Sequence, residues 1–382
     1  MKRILMAAGV VIAIAATAHA QSLDDLNIQI HGYATQGGLY SNHNSWNTTD
    51  SETGSAAWSD TVVNVSAQPQ SRLRIGVQAR YFVLGDMGNK ITLDWAQADY
   101  KFSDRIGIRA GKVKSPIGLL NETQDIDPAQ LWILLPQSMY PIASRNGMLS
   151  HYGGVLYGTL PLGEHAGKLQ YHAFAGQRIL GGDDGYFQSL RDQGITMPNG
   201  ITGHTAGGTL GWVTPIRGLM IGATEVSGAP SGEADAGPYS GSLMVERFRQ
   251  MFYFGRYERG RWMFAAEYSR FVVLTELALT GLPTTVYHND ARPFYLMASY
   301  KATSKLTGGL YYSSTLDHGM AVGPGRYQKD WALAARWDFN TFLYTKFEQH
   351  WMDGTQTGYS LLDNPNLQPD MRMSLVKLGV SF

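Results

Sequence analysis

The connections between candidate strands come in two lengths that alternate along the chain, and this regularity restricts the fold more than any motif does. Short connections fall at 68–71, 103–104, 162–167, 215–217, 259–260, 302–304 and at Asn340. Long ones fall at 41–57, 115–151, 179–200, 229–242, 275–291, 318–326 and 353–370, and only the brief 85–89 occupies a long-connection position. The segments between them predict sixteen strands, at 27–40, 58–67, 72–83, 90–102, 105–114, 152–161, 168–178, 201–214, 218–228, 243–258, 261–274, 292–301, 305–317, 327–339, 341–352 and 371–382. An even number of up-and-down strands puts every tight turn on one rim and every long loop on the other. A sandwich or propeller has no reason to keep that order, and no repeat of about 40–50 residues marks propeller blades.

Within the segments the period is two. Leu73, Ile75, Val77, Ala79, Tyr81 and Val83 share one face of 72–83, while Arg72, Arg74, Gln78 and Arg80 share the other. A half-buried strand reads this way, whereas a helix would scatter the arginines round its cylinder. Trp262, Phe264, Ala266 and Tyr268 repeat the pattern, as do Trp331, Leu333, Ala335 and Trp337. Segments 91–102 and 248–257 lose phase midway, which predicts bulges.

Composition then says what the two faces meet. Charged residues make up 16% of the chain, against about a quarter in soluble domains. There are 44 Gly and 21 Tyr, and no Cys, so disulfides and cysteine-ligated metals are excluded. Lys+Arg and Asp+Glu both total 31, which argues against a nucleic-acid partner. Residues 1–20 read as a secretory signal peptide: basic Lys2-Arg3, an apolar run from Ile4 to Ala16, and Ala18-His19-Ala20 at the cleavage site. Beyond it no apolar stretch is long enough for a membrane helix. A closed barrel needs none, because strand pairing satisfies every backbone group and only alternate residues must be apolar. The expectation is an all-β, closed antiparallel transmembrane barrel over 21–382.

The chain ends Val376-Lys377-Leu378-Gly379-Val380-Ser381-Phe382, alternately apolar with a terminal Phe. This resembles the C-terminal signal that outer-membrane barrels present to their assembly machinery. With the strand count, the whole of 21–382 resembles the sixteen-stranded porins of Gram-negative outer membranes. The resemblance implies that 115–151 folds inward as a constriction loop, which accounts for the apolar Leu131-Trp132-Ile133-Leu134-Leu135 inside a loop. The family's acidic tripeptide has no clear counterpart. Arg72-Leu73-Arg74 and Arg109-Ala110-Gly111-Lys112 are similar to runs in the phosphate-selective porins.

A sixteen-stranded lumen is wide enough for water, so function reduces to bore and lining charge. Strand phase assigns Arg72, Arg74 and Arg80 to the lumen, and Arg109 follows if Ile106 and Ile108 face lipid. Glu267, Arg336, Lys346 and Glu348 are further lumen candidates, with Glu122, Asp125 and Asp127 on the loop. Acidic loop against basic wall predicts a transverse field. Trp95, Trp212, Trp262, Trp331, Trp337 and Trp351 are expected on the outer girdles. The sequence carries no Gly-x-Ser-x-Gly and no His-Glu-x-x-His, so a diffusion channel is expected rather than a lipase or protease. A structural or adhesive barrel with a plugged lumen is the remaining alternative. No cofactor and no metal is expected. The resemblance implies small hydrophilic solutes, outer-membrane lipid and lipopolysaccharide, the barrel-assembly machinery acting on Phe382, and two further copies in a homotrimer as partners.

Overall fold

Alternating segments pair edge to edge until the sheet meets itself. A computed structural model describes residues 26–47, 49–163 and 165–382; the proposed signal peptide lies outside the described residues. Strands β1 (Gln29–Ser41), β2 (Ser55–Gln70), β3 (Leu73–Leu84), β4 (Met87–Ser103) and β5 (Ile106–Lys114) precede the longest loop. After it come β6 (Ser150–Pro161), β7 (Lys168–Leu180), β8 (Ile201–Val213), β9 (Leu219–Gly228) and β10 (Ser231–Ala236). Next are β11 (Tyr239–Arg259), β12 (Trp262–Leu279), β13 (Thr285–Ala291) and β14 (Phe294–Lys301). The chain finishes with β15 (Leu306–Leu316), β16 (Tyr327–Asp338), β17 (Leu343–Gly354) and β18 (Asp370–Ser381).

All pairings are antiparallel, and β1 closes the barrel on β18 from Tyr33↔Ser381 to Ser41↔Met373. Gly32 and Phe382 exchange backbone bonds of 3.0 Å at the seam. A Cβ on Gly32 would meet Val62 O at 2.4 Å and the Phe382 ring at 2.7 Å, so glycine fits the close approach of β2 and the terminal residue there. Closure leaves the barrel wall itself without a free edge.

The sixteen expected strands are present, with two additions that correct the loops 229–242 and 275–291. Strand β10 continues β9 along β11, and β13 leads into β14 along β12. Pro230 and Pro293 mark the two interruptions. Proline has no N–H for the ladder, so each strand breaks there. Each carbonyl still accepts a bond, from Val245 N–H at 2.9 Å and Ser269 N–H at 2.8 Å. These loops are tall β-hairpins rising above the barrel, not irregular segments.

The predicted loss of phase in 91–102 is a bulge. Gln78 pairs with Trp95 and Ala79 with Leu93, which leaves Asp94 unpaired and turns Asp94 and Trp95 both inward. Trp95 therefore leaves the outer girdle that its phase suggested. In β11 the bulge falls at Glu246, just before the segment expected.

Outside, Ile75, Val77, Leu156, Leu210, Leu296, Leu333 and Val376 are exposed, a surface suited to hydrocarbon rather than water. Trp212, Trp262, Trp331, Trp337 and Trp351 are exposed there as well, all on β8 to β17. Inside, the wall is not uniformly polar, which corrects the simple division into apolar exterior and polar lumen. One inner cluster joins Val155, Phe174, Phe252, Phe254 and Tyr311 to Ile117, Trp132, Met139 and Tyr140 of the long loop. A second holds Ile133 and Leu134 against Trp58, Leu84 and Leu375. A third packs Phe187 and Leu190 of the 181–200 loop against Leu243, Val273 and Leu277. These clusters exist because two loops fold down into the barrel and need something to pack against.

Candidate functional site

The 115–149 segment turns into the lumen and is tied to the wall at points spread round the circumference. Its first turn is fixed by β8, β9 and β12. The hydroxyl of Thr209 donates to Pro116 O, Gly118 N–H donates to Thr224 Oγ1 at 3.3 Å, and Leu119 N–H donates to Glu267 Oε1 at 2.9 Å. Gly118 has φ +61°, and a Cβ on it would meet that carboxylate at 2.3 Å, so the tether needs glycine twice over. Tyr140 OH donates to the other Glu267 oxygen at 2.7 Å, which pins the far limb of the loop to the same wall residue.

The three loop acids reach different strands. Glu122 pairs with Arg109 at 2.8 Å, and Arg109 also reaches Asp99 at 3.2 Å. Asp125 pairs with Lys114 at 2.7 Å and accepts from Gln78 at 2.9 Å and Trp95 Nε1 at 3.2 Å. Asp127 accepts from Tyr344 OH at 2.7 Å and pairs with Lys346 at 2.9 Å and Lys377 at 3.1 Å. Burial pushes the Asp127 carboxyl up, but the two ammonium groups outweigh it and hold the group below the usual carboxylate range.

The apolar stretch is buried as expected. Trp132 stacks obliquely on Tyr311 with centroids 4.9 Å apart, and a Cβ on Gly309 would meet Leu131 at 2.6 Å. The backbone of this stretch also needs partners. Ile133 and Leu134 donate to the two oxygens of Glu348 at 2.6 and 3.0 Å, and Arg336 donates to Gln130 O at 2.9 Å. His350 sits between Asp330 at 3.0 Å and Glu348 at 3.2 Å, which holds that carboxylate in place. On the return limb, Arg145 makes a two-pronged bond to Asp94 at 2.8 and 2.9 Å. The bulge in β4 thus delivers both Asp94 and Trp95 to the loop.

These contacts revise several expectations. Arg72 lies in the β2–β3 turn, exposed, because β3 starts only at Leu73. Arg74 is on the inner face near that rim and donates to Ser66 Oγ at 3.2 Å. Arg80 is inward but buried, in a two-pronged pair with Asp60 at 2.7 and 2.8 Å. Arg109, Glu267, Arg336, Lys346 and Glu348 face inward and hold the loop. The loop acids do not oppose basic wall residues across a gap; each is in direct contact with its cation, so little field remains between them. Asp94, Arg145, Tyr140 and Lys377 belong to the site and were not singled out. The switch of apolar phase from Ile91-Leu93 to Ala96-Ala98 was the one available signal for Asp94 and Trp95.

Above the loop, on the long-loop side, lies a cavity of about 390 Å³ between β3–β4 and the loops after β7 and β17. Asp86, Asp183, Asp184, Asp192 and Asp363 line it, with Arg80, Lys90 and Arg191. Its roof is a bridge: Asp192 accepts from Ser360 Oγ and from Leu361 N–H, both at 2.9 Å. The β7–β8 and β17–β18 hairpins stand half a circumference apart, so this contact spans the mouth. Burial raises the Asp184 carboxyl to about 6. Asp363 is raised as well, by burial and then by Asp192, Asp86 and Asp50, the mark of a crowded negative surface.

A closed sixteen-strand barrel with an infolded loop is therefore the class of structure in hand. The sequence matches no protein-family model and no curated protein. Among solved structures, the fold is similar to the trimer form of OmpT, an outer membrane protein of Vibrio cholerae. That match has TM-score 0.57 at 11% identity and covers 93% of this chain and 99% of that one. Salmonella typhi OmpF in complex with daunomycin gives 0.57 at 14% identity, covering 94% and 98%. The outer membrane channel DcaP of Acinetobacter baumannii gives 0.55 at 11%, covering 96% and 100%. At such identities the likeness is one of fold.

Proposed function

We propose that the chain is an outer-membrane porin, a narrow water-filled channel for passive diffusion of small hydrophilic solutes and ions. The observation that carries this reading is the infolded loop fixed by buried polar tethers on opposite walls. A plug needs only apolar packing, whereas rigid anchoring of a loop edge defines an aperture of constant width. Arg74, Arg109, Arg336 and Glu122 border the water path in this reading, while Arg80, Glu267, Asp125 and Asp127 support it. Purified protein in planar bilayers should give ohmic single-channel steps and pass small sugars in liposome swelling. Absence of both favours the second reading, a sealed structural barrel, which the three inner apolar clusters support.

A catalytic role has less support. Ser115 Oγ and His151 Nδ1 lie 2.9 Å apart, but both residues are buried and His151 Nε2 has no partner to orient the ring. The pair reads as a tie between loop and β6.

Residues 1–20 are read as a leader removed on export, which an intact mass beginning at Gln21 checks. Phe382 at the seam suits a signal read before closure. The one-sided girdle supports a homotrimer. All five outward tryptophans sit on β8 to β17, leaving the small outward residues Ala34, Ala96, Ala98, Ala110 and Ala173 to pack against another copy. Ala98→Lys should then give monomers by native mass spectrometry, with the barrel intact.

A further inference from the structure

The outer surface of β11 to β16 carries a trough that lipid contact in general does not explain. Its volume is about 510 Å³. Gly255 and Ala266 are cross-strand partners, and Ala298 lies one strand pair further on. These small side chains form a floor between Tyr257, Phe264, Leu296, Tyr312 and Trp331. Phe264, Leu296 and Trp331 are exposed, which places the trough on the lipid side of the wall.

Directly above it, toward the long-loop rim, the outward positions of the same strands turn to arginine. On β12 the outward series runs Phe264, Ala266, Tyr268, Arg270, which puts Arg270 about 13 Å above the floor. Arg270 pairs with Asp290 through two bonds, at 2.8 and 2.9 Å, and Arg292 reaches the same carboxylate at 3.4 Å. One carboxylate thus serves two guanidiniums that each retain spare donors. Both side chains remain accessible, at 52% and 41%. On β11, Arg249 pairs with Glu225 at 2.8 Å, and Arg247 follows one outward step higher. The cluster is not of one sign: Glu246 shares the bulge with Arg247, and Glu276 stands beyond it. The nearest charges above the trough are cations held by acids: Lys329 with Asp353 at 3.0 Å on β16, and one step higher the two arginines that share Asp290.

Position round the barrel is the second observation. At the same rim, outward residues of the first half include Tyr40, Tyr81, Ile91, Tyr152, Thr202 and His204, with no arginine among them and one cation, Lys112, lying over Tyr152 and donating to Leu93 O. Trough and arginines occur on the same strands, opposite the face assigned to other copies.

We propose that this surface is a binding site for one phosphorylated, multiply acylated lipid of the surrounding leaflet. Acyl chains fill the trough, edged by aromatic rings, and a phosphate takes the spare guanidinium donors of Arg270 and Arg292. The guanidinium fork matches phosphate oxygens in pairs, and neighbouring acids fix the forks in place. The proposal rests on the membrane embedding in the reading above, not on its channel activity.

The test is native mass spectrometry of the full barrel in zwitterionic detergent, titrated with hexa-acylated diphosphoryl lipid A, its dephosphorylated form, and inorganic phosphate. Wild type should retain the phosphorylated lipid at least about tenfold better than the dephosphorylated one, a difference typical of a charge-assisted pair. Arg270→Gln with Arg292→Gln should remove that preference, and Ala266→Trp should displace the lipid by filling the trough. Circular dichroism and bilayer conductance of each variant, expected unchanged, separate misfolding or a failed channel reading from a failed site. Equal retention of both lipids, competition by inorganic phosphate alone, or folded variants that bind like wild type would overturn the proposal.

Discussion

Asp184 shows how one carboxyl can couple loop and vestibule. Burial raises it to about 6 from an ordinary value of 3.8, so it is neutral below that point and ionised above it. Sign follows from the shift. The folded chain binds the proton more tightly than the unfolded chain, so the loop is most stable below about 4 and loses that contribution as pH rises through about 6. Over the same range the cavity gains a negative charge. Cation preference should therefore increase between pH 5 and pH 7 with a midpoint near 6, read from reversal potentials, and Asp184→Asn should flatten the curve. Asp127 is the opposite case, a carboxylate held ionised by two buried lysines. Removing it with Asp127→Ala strands both ammonium groups, at a local cost of about 3–5 kcal/mol. Raised conductance together with faster hydrogen exchange at Ile133 and Leu134 is the expected outcome; an unchanged bore would show that this tether does not set the aperture.

At the scale of elements, the strands were readable because the bilayer and lumen impose a period of two, and the turn rim imposes brevity. The departures come from long-range contacts. Strands β10 and β13 were hidden inside long loops because no lipid face enforces alternation above the membrane. The bulge at Asp94 was visible as a phase switch, but its purpose depends on Arg145 and Asp125, far along the chain. The infolded loop was legible from Leu131–Leu135, whereas its tethers were not, since an inward carboxylate looks the same whether it faces water or a backbone N–H. The bridge from Asp192 to Ser360 and Leu361 also lay beyond pattern reading. Asp192→Ala leaves the barrel strands untouched and should widen the mouth, seen as faster access of a bulky thiol reagent to a cysteine placed at Asn146. Unaltered access would mean that the loops part freely in the wild type.

For the whole molecule, equal numbers of acidic and basic residues conceal a division along the axis. The cavity beneath the long loops is lined by five aspartates against three bases. Toward the turn rim the exposed inward side chains include Arg74, Lys101, Lys168, Arg256 and Lys301; Asp104 pairs with Lys101, Glu258 with Arg256 and Asp338 with Arg336, which leaves bases in excess. The segregation expected across the bore is found instead from one mouth to the other. Ionic current through oriented channels should then rectify, and a salt gradient should give reversal potentials of different size when its direction is inverted. A symmetric response would contradict the axial separation.

The Asp127 tether also bears on the order of events during assembly. Its partners Lys346 and Lys377 lie on the final two strands, the latter 250 residues further along the chain. A nascent sheet that has paired only its earlier strands holds the infolding segment by one side, with the carboxylate unanswered. The last hairpin that seals the wall against β1 also brings the two ammonium groups into reach. Sealing and calibration therefore coincide, and a partly assembled intermediate has no finished orifice through which the envelope could leak.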